Sequence, residues 1–118
     1  MNYALLIYGD DSGWADLPDE ERMELRAAQM PEWVALFPEL RKADPNVVGK
    51  ELDGQSTAKV VQVRDGERIV TDGPFAETKE ILGGAFFMDL PDLDEAIRLA
   101  ALIPTAKHGS IEIRPVLQ

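Results

Sequence analysis

The densest chemistry in the chain lies between Asp72 and Gly84, where three carboxylates, a lysine, a threonine hydroxyl and three glycines fall within thirteen residues. Asp72-Gly73-Pro74 can be a plain turn. Aspartate bonds the backbone two residues on, glycine tolerates positive φ, and proline sets the exit direction. The same three residues can also be a site. A carboxylate at the end of a strand, beside backbone that glycine leaves accessible, can orient a ligand hydroxyl, or accept a proton if burial raises its pKa toward neutrality. Glu77, Thr78, Lys79 and Glu80 add donors, acceptors and both charges within one short turn. As a solvated turn they hold a salt bridge worth less than about 1 kcal/mol; closed over a cavity, Glu77 or Lys79 would touch the ligand. Gly73, Pro74, Phe75, Thr78 and Gly84 complete this group of candidate ligand-binding residues, although a phenylalanine such as Phe75 is more often core than ligand wall.

His108 is the one histidine of the chain and stands in Lys107-His108-Gly109, ahead of the last strand-like segment. Imidazole is the side chain whose ordinary pKa suits proton transfer near neutrality, which makes Asp72 and His108 the candidate catalytic residues. The bland alternative is an exposed or capping imidazole. Tyr8, closing the first strand, offers a phenol that can bond a ligand or simply pack. Other chemistries are excluded by composition. With no cysteine there is no thiolate nucleophile, disulfide, zinc-thiolate site or iron–sulfur cluster, and one histidine cannot build a multi-histidine metal site within a subunit. No metal and no cofactor is expected. Gly83-Gly84 precedes a strand, whereas phosphate cradles precede a helix, and there is no Gly-x-Ser-x-Gly elbow. A net charge of −10 repels phosphate backbones, so nucleic acid is not expected as a direct partner.

The elements that must position these groups are legible in outline. A chain of 118 residues suits a single domain, 1–118, with one core. No apolar run approaches a bilayer span and Met1-Asn2-Tyr3 lacks the basic flank of a secretory signal, so the expected location is cytoplasmic. Tyr3 to Tyr8 is apolar at odd and even positions and reads as a strand covered on both faces. A helix is predicted to begin near Pro18, with Asp19, Glu20 and Glu21 at the positive end of its dipole. Met23, Ala27, Met30, Val34 and Phe37 recur at spacings of four and three as its buried stripe, with a kink or break at Pro31. Asp44-Pro45-Asn46 ends it, and Val47 to Ser56 is read as a polar connection. Thr57 to Arg64 and Glu67 to Thr71 form a hairpin about Asp65-Gly66. Phe75 to Glu80 allows a short helical turn, after which Gly83-Gly84 opens a strand at 85–90. Asp92 and Glu95 make a capping box for a second helix that buries Leu93, Ala96, Ile97 and Ala100 and stops at Pro104. Ile111 to Arg114 alternates apolar and charged residues, as an edge strand does.

This order suits an α+β sandwich, an antiparallel sheet with two main helices on one face. The strands at 3–8 and 85–90 carry apolar groups on the other face as well. An apolar sheet face of several hundred Å² normally marks an interaction surface. The economical cover is the same face of a second copy, giving a homodimer with a cavity where the sheets diverge.

The run Val70-Thr71-Asp72-Gly73-Pro74-Phe75-Ala76-Glu77-Thr78-Lys79-Glu80 followed by Leu82-Gly83-Gly84 resembles the signature of the YCII-related proteins that carry a DGPF motif. Asp92 to Ala96, Glu112 to Val116 and the Tyr3 to Tyr8 strand resemble that family in its usual order. The resemblance implies a ferredoxin-like fold of the dimeric α/β-barrel type. It implies a small-molecule pocket and, as one reading, cofactor-independent acid–base chemistry of an isomerase-, lyase- or oxygenase-like kind. A second reading follows from the frequent coding of such proteins beside sigma factors of the extracytoplasmic-function type, namely a regulatory module that binds a sigma factor. Better-known YCII proteins carry a histidine in the first helix; here Gln29-Met30-Pro31 occupies that region.

Overall fold

The computed structural model of the protein describes residues 1–10, 13, 16–75 and 78–117. Strand β1 spans Asn2–Gly9. Because side chains alternate across a strand, Tyr3, Leu5 and Ile7 face the helices and are buried, while Ala4, Leu6 and Tyr8 lie on the opposite face. Helix α1, Asp19–Ala43, follows Pro18 and its acidic first turn, as expected. It runs unbroken through both Pro31 and Pro38. Each proline costs one backbone bond, but both prolines, and Ala27 and Val34 four residues before them, are exposed, so water takes the freed carbonyls.

Of the expected buried stripe of α1 only Phe37 packs against the core. Met23 is 71% exposed and Val34 also faces solvent, whereas Trp33, Leu36, Phe37 and Leu40 turn to the core. Two apolar stripes compete on this helix, and the one with the larger aromatic and leucine side chains has more area to withdraw from water. At the C-terminus of the helix Asp44 is buried. Its carboxylate accepts the backbone N–H of Asn46 and that of Asp89, each at 2.9 Å, and so ties the helix end to the central sheet.

The polar connection after α1 contains a strand, β2 (Val48–Glu51), which pairs antiparallel with β5 (Ile81–Asp89) from Val48↔Phe87 to Glu51↔Gly84. Four exposed residues give no alternation to read, so only the pairing reveals β2. The glycine pair does not open β5 but lies within it. The register with β1 shifts between Ile7↔Gly84 and Tyr8↔Leu82, leaving Gly83 as the extra residue, and the Gly83 carbonyl accepts the Leu52 N–H at 2.8 Å. The short helical turn expected between Phe75 and Glu80 includes Ala76 and Glu77 and so lies outside the described residues; beyond them the Thr78 hydroxyl donates to the Glu80 carbonyl at 2.5 Å.

Helix α2, Leu93–Leu102, is capped by the Asp92 carboxylate, which accepts the Glu95 N–H at 2.9 Å. The Glu95 carboxylate is taken by Arg98, whose hydrogen bonds hold its carboxyl below the usual range. The buried side is Ala96, Leu99 and Ala100, so Leu93 and Ile97, expected inside, face out. A 3-10 turn at Pro104–Lys107 leads to the edge strand β6, Ser110–Pro115. The sheet order is β2-β5-β1-β6, all antiparallel, with both helices on one side: a ferredoxin-like α+β fold. The sheet of the single chain is open and forms no closed barrel. Its uncovered face carries Ala4, Leu6 and Tyr8 with Ala85, Phe87 and Val48, beside Glu112 and Arg114.

The hairpin is present but stands outside this sheet. Strands β3 (Lys59–Arg64) and β4 (Glu67–Asp72) pair only with each other. Asp65 and Gly66 have φ of 51° and 77°, the two positive values a type I′ turn needs. The molecule as a whole is open. Its radius of gyration is 16.3 Å, against about 13.5 Å for a compact chain of this length. Its accessible surface is 8578 Å², about 2,200 Å² above what a compact monomer of 13.1 kDa exposes.

Candidate functional site

Leu36 and Leu40 hold the C-terminal half of α1 on the sheet, while the N-terminal half has no buried residue and stands away from it. The divergence leaves a cavity of about 1030 Å³ between helix and sheet. Ile7 and Phe86 provide its floor, Met30, Trp33 and Phe37 one wall, and Pro104, Thr105, Lys107 and His108 border it on the other side. Glycine shapes the floor. A Cβ at Gly49 would come within 2.4 Å of the Phe86 ring, and one at Gly84 within 2.8 Å of the Lys50 carbonyl, so both positions admit only the bare backbone.

Two ion pairs tie the free half of α1 to the body. Arg26 pairs with Glu51 of β2, and Lys107 reaches Glu32 at 3.5 Å. The hydrogen bond and charge of Glu51 hold the Arg26 guanidinium above its ordinary pKa. Both pairs are exposed, so each adds at most about 1 kcal/mol and is screened by salt. The cavity is an apolar and aromatic trough with a charged rim.

The candidates read from the sequence are divided by the fold. Gly84 and His108 line the cavity. Tyr8 lies on the uncovered sheet face, with its hydroxyl 3.4 Å from Glu112. Asp72 ends β4 at the base of the hairpin, where its exposed carboxylate pairs with Lys59. The Gly73 N–H donates to the Ala58 carbonyl at 2.8 Å, and a Cβ on Gly73 would sit 2.7 Å from that of Ala58. The Gly73–Pro74 peptide is cis. Pro74 is half-buried, Phe75 is 80% exposed, and Thr78 and Lys79 face solvent. Glu77 lies outside the described residues. Asp72 and His108 therefore do not meet in the cavity: only the histidine borders it. Trp33, Phe37 and Met30 were not read as site residues. The one available signal was the aromatic pair at i and i+4 on a helix, which in sequence looks the same as ordinary core.

A family model described as YCII-related domain matches residues 1–118. An uncharacterized protein of Rhizobium meliloti (strain 1021) is 37% identical over 121 residues, which cover 98% of this chain and 92% of that protein.

Proposed function

The chain belongs to the YCII-related family, and from that premise we propose that it binds a small organic molecule in the cavity between α1 and the sheet, as a homodimer joined through the uncovered sheet faces. The observation that carries the binding reading is the trough itself, of about 1030 Å³ and walled by Trp33, Phe37 and Met30. Apolar walls with a few polar groups at the rim are how small-molecule sites are generally built. The dimer is supported by Phe87 and Val48, 47% and 50% exposed and paired across β5 and β2 on the same face. Where acid–base chemistry accompanies binding, His108 is the better-placed group, since it borders the trough and Asp72 does not.

A thermal-shift screen of small aromatic and alicyclic acids, alcohols and amides tests the binding reading, because a compound that binds the native state raises the melting temperature. Hits should quench or shift Trp33 emission. Trp33→Ala should weaken them by about tenfold to a hundredfold, as loss of a buried aromatic anchor does, while Asp72→Asn leaves them unchanged. Hits lost in Asp72→Asn and kept in Trp33→Ala would move the site to the turn after β4.

A further inference from the structure

Among the described residues, the β3–β4 hairpin pairs with no other strand and leaves its valine face exposed. The register places Val61 opposite Val70 and Val63 opposite Arg68 on one face, and the three valines are 60%, 55% and 62% exposed. A two-stranded hairpin is only marginally stable in water unless a further strand or a helix packs on it, and this one is paired with no third strand. We infer that it is an intersubunit arm: in a two-fold dimer the Val61, Val63 and Val70 face of each copy lies on the other copy, extending the contact made by the uncovered sheet faces.

Two observations select a second copy as the occupant. The surplus of about 2,200 Å² exposed by each chain is the share that one subunit contributes to a permanent homodimer, whose interfaces bury roughly 2,000–5,000 Å² in total. Charge points the same way. The chain carries −10, so most of its surface repels a second copy, but residues 59–72 balance Lys59, Arg64 and Arg68 against Asp65, Glu67 and Asp72. The arm is thus a surface on which two copies can meet without like-charge repulsion, and its alternating signs can pair across a two-fold axis. A reciprocal exchange of arms closes the assembly at two copies, as an isologous contact requires.

The inference rests on the dimer proposed above, and sedimentation of three variants separates the two. Val61→Asp/Val70→Asp places charges on the arm face, Gln62→Glu places one on the opposite face, and Phe87→Asp places one on the sheet face. If the arm seats on a second copy, the first variant weakens dimerisation about tenfold or more, keeps the far-ultraviolet circular dichroism of the folded body, and Gln62→Glu dimerises as wild type. An arm variant as dimeric as wild type overturns the inference. A wild-type protein that stays monomeric overturns both the arm and the sheet-face dimer. Dimers lost in the arm variant but retained in Phe87→Asp keep the arm and remove the sheet-face contact.

Discussion

Asp44 is the side chain whose work is hardest to replace. It is the buried charged residue of the described chain, and its carboxylate satisfies two backbone donors on different elements, Asn46 just past α1 and Asp89 at the end of β5. Charge-assisted bonds of this kind are worth more than neutral ones, and removing the acceptor leaves two part-buried N–H groups without a partner. Asp44→Ala should therefore lower the unfolding free energy by about 2–4 kcal/mol, measured as a lower urea midpoint with an unchanged slope. A loss below about 0.5 kcal/mol, the range of ordinary surface changes, would mean that the carboxylate is dispensable. The sequence marked Asp44 as the end of a helix. The second partner lies 45 residues away and could not be read there.

At the scale of elements, the close approaches are made by glycine. A Cβ at Gly109 would lie 2.3 Å from the Tyr8 carbonyl and 2.9 Å from the Thr105 methyl. Backbone on β1 cannot give way without disturbing the β1–β6 pairing that follows at Tyr8↔Ser110. Gly109→Ala should destabilise the fold by about 1–3 kcal/mol, the usual cost of overpacking. Gly13→Ala, where nothing lies within 4 Å, should be close to neutral and serves as the control in the same thermal melts. The helices carry a related lesson. Their ends were legible because caps are local chemistry: Pro18 with its acidic turn, Asp92 with the Glu95 N–H, and Pro104 after α2. Their buried sides were not, since α1 and α2 each carry apolar residues on more than one stripe and the sheet selects among them.

At the scale of the molecule, the open shape sets the expectation. A chain that exposes about 2,200 Å² more than a compact monomer should recover that area by association. Its melting temperature should then rise with protein concentration, by the mass action that couples assembly to stability. Melts that coincide over a hundredfold range of concentration would show that the monomer is the stable unit. Salt acts on a different part of the structure. The pairs Arg26–Glu51 and Lys107–Glu32 are exposed and screened, so high ionic strength should loosen α1 over the trough before it disturbs the core, checked as a salt-dependent change in tryptophan fluorescence at unchanged far-ultraviolet circular dichroism.

Short-range chemistry was readable in the chain itself: the hairpin turn at Asp65-Gly66, the helix starts and stops, the central strand 3–8, the ferredoxin-like order of elements and the resemblance to the YCII-related family. These depend on neighbours a few residues apart. Strand β2 and the stripes that face the core depend on partners far along the chain, and the tertiary structure alone settled them. It also decided where the chain leaves a cavity. The polar cluster at 72–80 drew the eye because charged groups are conspicuous in sequence, yet the cavity lies under Trp33 and Phe37. An apolar wall becomes a pocket only where two packed elements diverge, and that divergence is a property of the assembled helix and sheet.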